Sequence, residues 1–191
     1  MRLTFNKKSI GLVIVLISLL IVNMGWTPSI TAKEATKDEF EILANQMTLE
    51  NDKLVAKGDV KVNSNQGRMT GDKFWLNNST ETGELIGNPI LNSQGWRVTG
   101  SKFEIDFAKE ELFIPSNAHM ESKKLVADAN QLRFLNQKDQ AVLTGQVVVI
   151  DQDRRLTGDK VIINLKTEKI NSIGRTKLTL PSKNQNSGEK K

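Results

Sequence analysis

The sequence predicts an all-β fold, a flattened roll of stacked antiparallel strands arranged in two sheets. Three observations predict it. A 29-residue unit returns without insertion or deletion: Thr70-Gly71-Asp72-Lys73-Phe74 recurs as Thr99-Gly100-Ser101-Lys102-Phe103, as Asp128-Ala129-Asn130-Gln131-Leu132 and as Thr157-Gly158-Asp159-Lys160-Val161. A fixed period of this length signals one supersecondary unit stacked on copies of itself. Within each unit, apolar residues alternate with polar ones at period two, the mark of half-buried strands. Glycines recur inside the strand-like stretches, at Gly58, Gly87, Gly145 and Gly174 (with Ser116 in the third place) and at Gly71, Gly100 and Gly158, where they mark bulges or bends at a sheet corner.

In chain order, residues 1–32 read as an export signal or a signal anchor. Arg2, Lys7 and Lys8 precede an apolar run from Ile10 to Val22, which fits a secretory core and falls short of a spanning helix. Residues 33–39 read as a linker and 40–180 as the β domain. Its first piece, Ile42 to Lys57, is the second half of a repeat with a shortened turn, where Ala44-Asn45-Gln46 replaces Thr-Gly-Asp. Full units follow, each with two strands folded over at their glycines. Turns fall at Asn63–Gly67, Asn92–Gly95, Glu121–Lys124 and Asp151–Arg154, and in the other position at Asn77–Gly83, Ala108–Glu110, Asn136–Asp139 and Lys166–Glu168. The unit beginning at Ser116 departs from its siblings, with Pro115-Ser116 at one corner and Ala129 at the other. Arg175 to Leu180 reads as half a repeat, so the roll begins and ends on open strand edges, which normally recruit another strand. Residues 181–191 read as a polar, disordered tail.

Columns of the repeat identify the buried face. Val62, Leu91, Met120 and Val149 share one position; Met69, Val98, Ala127 and Leu156 another; Phe74, Phe103, Leu132 and Val161 a third; Leu76, Ile105, Phe134 and Ile163 a fourth. These side chains stay apolar while their neighbours drift, so they are the expected lining. Trp75 and Trp96 are assigned to the outer face. The lining has two physical fates, a dry core closed between the sheets or an apolar trough that shelters acyl chains. Periodicity does not decide between them.

Composition narrows the function. The net charge is +5, but Arg2, Lys7 and Lys8 contribute three of it; the other 24 basic and 22 acidic residues net +2. That is too even for a nucleic-acid binder, which concentrates basic charge on one face. No Cys and a single His, His119 on the outer parity, leave no metal site and no cofactor ligand set. Asp72 and Asp159 recur at one repeat position, as a catalytic carboxylate has no need to. Asx residues at a bend, bonding local backbone, explain that column. No Ser sits in a nucleophile-elbow context.

Leu143-Thr144-Gly145-Gln146-Val147, Leu156-Thr157-Gly158-Asp159-Lys160-Val161 and Lys166-Thr167-Glu168-Lys169-Ile170 resemble the OstA-like domain of the lipopolysaccharide-transport proteins LptA, LptC and the N-terminal part of LptD. Ala56-Lys57-Gly58-Asp59-Val60 and Met69-Thr70-Gly71-Asp72-Lys73 are similar to the same pattern. The resemblance spans Phe40 to Leu180. It implies a β-jellyroll, a non-enzymatic role, and a lipid-lined interior formed by Val62, Met69, Phe74, Leu76, Leu91, Val98, Phe103, Ile105, Met120, Leu132, Phe134, Val149, Leu156, Val161 and Ile163. It implies lipopolysaccharide as cargo, edge pairing with other OstA-like jellyrolls or with further copies of this chain, and a periplasmic location. An LptA-like form is cleaved and bridges the periplasm; an LptC-like form keeps its anchor at the inner membrane. A structural β-repeat protein with a closed core is the alternative of a different class.

Overall fold

The computed structural model describes residues 3–5 and 40–181; the expected linker, the polar tail from 182 and all of the expected signal except Leu3–Phe5 lie outside the described residues. The strands are β1 (Leu3–Phe5), β2 (Phe40–Leu43), β3 (Gln46–Glu50), β4 (Lys53–Ser64), β5 (Gly67–Asn77), β6 (Thr82–Ile86), β7 (Ile90–Ser93), β8 (Trp96–Thr99), β9 (Lys102–Asp106), β10 (Glu111–Ile114), β11 (Ala118–Glu121), β12 (Leu125–Ala129), β13 (Gln131–Leu135), β14 (Gln140–Asp151), β15 (Arg154–Asn164) and β16 (Ile170–Thr179). Every pairing is antiparallel. One 3₁₀ turn, Asn136–Lys138, interrupts them.

The pairings resolve into two sheets joined along one corner. The first sheet runs from β3 through the leading half of β4, the trailing half of β5, β6, β9, β10 and β13 to β14, β15 and β16. The second runs from β2 through the other halves of β4 and β5, then β7, β8, β11 and β12, to the other halves of β14, β15 and β16. Long strands therefore belong to both sheets at each end of the roll, and in the middle short strands, each in one sheet, stop at the corner.

The corner is made by bulges. Gly58 and Asp59 of β4 together oppose Asp72 alone on β5, because the register steps between Lys57 and Val60. Gly145 and Gln146 repeat this against Asp159, and Gly174 and Arg175 repeat it on the other side of Asp159. A two-against-one bulge bends the strand and resets its parity. The extra residue lies on β4, whose inward residues stay evenly spaced from Ala56 to Val60, so β5 takes the odd step and Met69 and Phe74, five positions apart, both point inward.

The two glycine columns are glycine for different reasons. Gly58 and Gly145 have φ of +76°, a left-handed backbone that other L-residues rarely adopt. Gly100 has no such φ; a Cβ there would run into Ile114 Cγ2. Where the third unit replaces glycine, Ser101 and Ser116 hold the corner instead, through Ser101 N–H to the Ser116 carbonyl (3.1 Å) and Ser116 Oγ–H to Ser101 Oγ (2.8 Å).

The Asx column belongs to this corner. Asn45, Asp72, Asn130 and Asp159 each lie against the next glycine of the first column, at Gly58, Gly87, Gly145 and Gly174. Asn45 and Asn130 donate backbone N–H to the carbonyls of Gly58 (2.9 Å) and Gly145 (2.8 Å). Those are main-chain bonds; the expected side-chain bonding to backbone is seen at Asp159, whose Oδ2 accepts from Arg175 N–H on the neighbouring strand (3.3 Å) rather than within its own bend.

The turns keep the period too. Left-handed, non-glycine residues recur at Glu81, Glu110, Asp139 and Glu168, and again at Asp59, Asn88, Asn117 and Gln146, each 29 positions after the last. On the first sheet, backbone N–H groups of Asn78, Phe107, Asn136 and Leu165 donate to the carbonyls of Asp52, Glu81, Glu110 and Asp139. These bonds tie successive turns lengthwise into one rail.

Candidate functional site

The inner faces form apolar rows that follow directly from the register. On the second sheet Ile42, Val62, Met69, Leu91, Val98, Met120, Ala127, Val149, Leu156 and Leu178 stand opposite one another in turn, from the first edge to the last. On the first sheet Leu49, Leu54, Leu76, Gly83, Ile105, Leu112, Phe134, Ala141, Ile163 and Ile170 do the same. Cross-strand apolar pairs are the unit of sheet stabilisation. Here their alignment also carries hydrocarbon along the roll, with the Phe74 and Phe107 rings lying over the gap at Gly83.

All fifteen residues expected in the lining face inward. Thirteen are buried, and Met69 and Leu156 are half-buried against the same cluster. The columns missed Ile42, Leu54, Leu85, Leu112, Ile114, Leu125 and Leu143, which belong to the same cluster. Period-two alternation around Leu85 and Leu143 carried enough signal to find them. Trp96 corrects the outer-face assignment. It precedes Val98 by two, shares its inward parity and is 3% exposed, while Trp75, between Phe74 and Leu76, does face out.

The two sheets close on each other along the side opposite the corner, where two rows of turns meet. Among the described residues no backbone hydrogen bond joins these rows. Side chains do so at three levels. Phe40 stacks on Phe107, with ring centroids 5.1 Å apart and planes 7° from parallel. Trp96 Nε1–H donates to the Leu165 carbonyl (2.9 Å), and Ser122 Oγ–H donates to Glu168 Oε1 (2.7 Å). From the second sheet's side they start at the first residues of β2 and β8 and in the turn after β11, and each reaches a later turn of the first sheet, so the seam runs diagonally. None of these six residues was singled out for this role from sequence; the partners lie 46 to 69 positions apart in the two polar contacts.

Both ends of the lining come to the surface. Leu49 on β3 is 49% exposed, and Leu178 on β16 is 55% exposed, although each stands in register with an inward neighbour. β16 pairs only with β15, leaving its other edge open among the described residues. At the opposite end, Leu3–Phe5 lie antiparallel on β2.

The outer faces are polar and internally paired. Lys102 Nζ lies 2.8 Å from Glu84 Oε2 and 2.9 Å from Glu104 Oε1. Its hydrogen bond holds the Glu84 carboxyl below the usual glutamate range. His119, on the outer face as expected, is hydrogen-bonded through Nδ1 to Asp128 Oδ1 (2.7 Å). A cleft of about 510 Å³ at the first corner is lined by Asn45, Asp59, Lys61, Asp72 and Asn88, so its polar rim is unlike the interior. Among the described residues no group of three metal-ligating side chains assembles, and no buried side-chain polar atom lacks a partner.

Comparison with known proteins adds the following. A family model described as LptA/(LptD N-terminal domain) LPS transport protein matches residues 33–111 and 114–177. The crystal structure of LptH, the LptA-homologous periplasmic component of the lipopolysaccharide transport device of Pseudomonas aeruginosa, aligns with a TM-score of 0.35 at 15% identity, over 75% of this chain and 95% of that one. No individually curated protein matches this chain.

Proposed function

Because the chain belongs to the LptA/LptD N-terminal domain family of lipopolysaccharide transport proteins, we propose that it is a non-enzymatic carrier that holds lipopolysaccharide acyl chains between its sheets. In this reading it acts in the periplasm and hands its cargo toward the outer membrane through rolls joined edge to edge. One observation carries the proposal. The apolar rows run from one sheet edge to the other, with Gly83 the one position without a side chain, and each ends on one exposed leucine, Leu49 on the first sheet and Leu178 at the opposite end of the second. A solitary sandwich gains nothing from leaving Leu49 and Leu178 in water, since burial of such a side chain is worth roughly 1.5–3 kcal/mol. Rolls docked head to tail cover Leu178 of one and Leu49 of the next, and continue the rows.

Strand addition supplies the joint. An open edge offers unpaired N–H and C=O groups to an incoming strand. β16 offers such an edge at one end. That β2 accepts Leu3–Phe5 as a neighbour supports the competence of the other.

The test is site-specific photocrosslinking in the full-length protein. A benzophenone side chain at Phe103 or Phe134, on the lining, is expected to capture lipopolysaccharide. The same group at Glu104, which alternates to the outer face, is expected not to. Equal capture from both faces overturns the proposal.

A further inference from the structure

We propose that the seam opposite the glycine corner is a lateral gate, latched by Trp96 on the Leu165 carbonyl, Ser122 on Glu168 and Phe40 on Phe107, through which acyl chains enter the interior. The inference rests on the carrier reading above and specifies how that interior is reached.

The interior is sealed as it stands. Phe103, Met120, Leu132 and Val161 have no exposure, so cargo reaches them only if part of the wall moves. The corner does not part easily. Long strands run through it at both ends of the roll, and the Asx residues are bonded or packed onto the glycines in between. The seam differs in kind. Among the described residues an indole hydrogen bond, a hydroxyl hydrogen bond and a ring stack bridge its two rows of turns, and no backbone ladder does. The first sheet's turns are tied lengthwise by the bonds from Asn78, Phe107, Asn136 and Leu165, so that rail moves as a unit rather than loop by loop. The bulged corner is the natural hinge, because bulges concentrate the bend of each long strand at one place.

The latch groups suit repeated opening. Ser122 and Glu168 are only half-buried, so water replaces their bond when they separate. The Trp96 indole and the Phe40–Phe107 pair present aromatic surface on which an alkyl chain packs as it passes. The proposal therefore assigns the acyl chains to the interior and leaves a polar headgroup outside, at the level of the turns.

The test uses a chain that has no cysteine of its own. In full-length protein carrying benzoylphenylalanine at Phe103, a Ser122→Cys/Glu168→Cys pair is bridged with a short bis-methanethiosulfonate reagent before purified lipopolysaccharide is added. Bridging is expected to remove most of the capture at Phe103, and dithiothreitol to restore it. Bridging a Glu84→Cys/Lys102→Cys pair, which links β6 to β9 within one sheet, is expected to leave capture intact. The Ser122→Ala/Glu168→Ala variant, with the latch removed, is expected to be captured faster than the parent. Undiminished capture with the seam bridged overturns the gate and leaves the carrier reading standing, with entry through the ends. No capture in any form, unbridged protein included, overturns the carrier reading and the gate with it.

Discussion

Trp96 joins the two sheets twice over, by filling the interior with its ring and by giving its N–H to the Leu165 carbonyl. Trp96→Phe keeps most of the fill and leaves that carbonyl unpaired, so it is expected to cost about 1–3 kcal/mol in urea denaturation; an unchanged midpoint means the bond contributes nothing. Gly100→Ala tests packing alone. Its new methyl overlaps Ile114, and overpacking of this kind costs about 1–3 kcal/mol. Ala129, in the same repeat column, tolerates that methyl at 9% exposure. The Glu84–Lys102 pair sets a pH dependence. The lysine hydrogen bond lowers the Glu84 pKa from its ordinary value of 4.5, so the folded state releases that proton more readily than the unfolded chain. The resulting stability is present above pH 4.5 and fades as the pH falls through the lowered folded value. Lys102→Met is therefore expected to lie below the parent in thermal stability near neutrality and to converge with it in acid; a gap that widens in acid reverses the assignment.

Among elements, β16 has the plainest consequence. It is bonded on one side only and carries Ile173, at 47% exposure, and Leu178, at 55%. Leu178→Lys places a charge on the row where a second roll would dock, and is expected to weaken concentration-dependent self-association in sedimentation velocity while leaving the melting temperature of the single roll nearly unchanged. A large fall in melting temperature instead marks Leu178 as part of this roll's own core. Strand content, turn positions and both glycine columns were legible from sequence because the 29-residue repeat supplies its own comparison. Four copies distinguish Phe74 and Phe103, which stay apolar, from Trp75 and Glu104, which drift. Trp96 misled because it stands next to a turn, where one parity step is easily lost, and because a lone tryptophan has no sibling in its column. The seam was invisible for another reason. Phe40 with Phe107, and Ser122 with Glu168, meet across the diagonal between different repeats, so no periodic pattern relates them. The interior's lining was readable; its closure was not, since alternation specifies which face is apolar and not how far apart two such faces sit.

Over the whole molecule, strands shared by both sheets make the roll one cooperative body. Repeat arrays stabilised only by neighbours lose cooperativity as they lengthen, but β4, β5, β14, β15 and β16 each belong to both sheets here. Urea unfolding followed by far-ultraviolet circular dichroism and by Trp96 fluorescence, with Trp26 and Trp75 replaced by Phe, is expected to give coincident curves; separate transitions would mean that the sheets melt independently. The diagonal run of the seam has a geometric consequence of its own. Neighbouring strands rotate by roughly 20–25° about the stacking axis, so the line along which the walls meet is a screw thread rather than a straight slot. A second roll continuing the strands of β16 inherits that rotation, and its mouth faces a different direction from the first. Cargo handed along such a series would turn as it advances, its exposed part sweeping round the outside while its hydrocarbon stays near the centre.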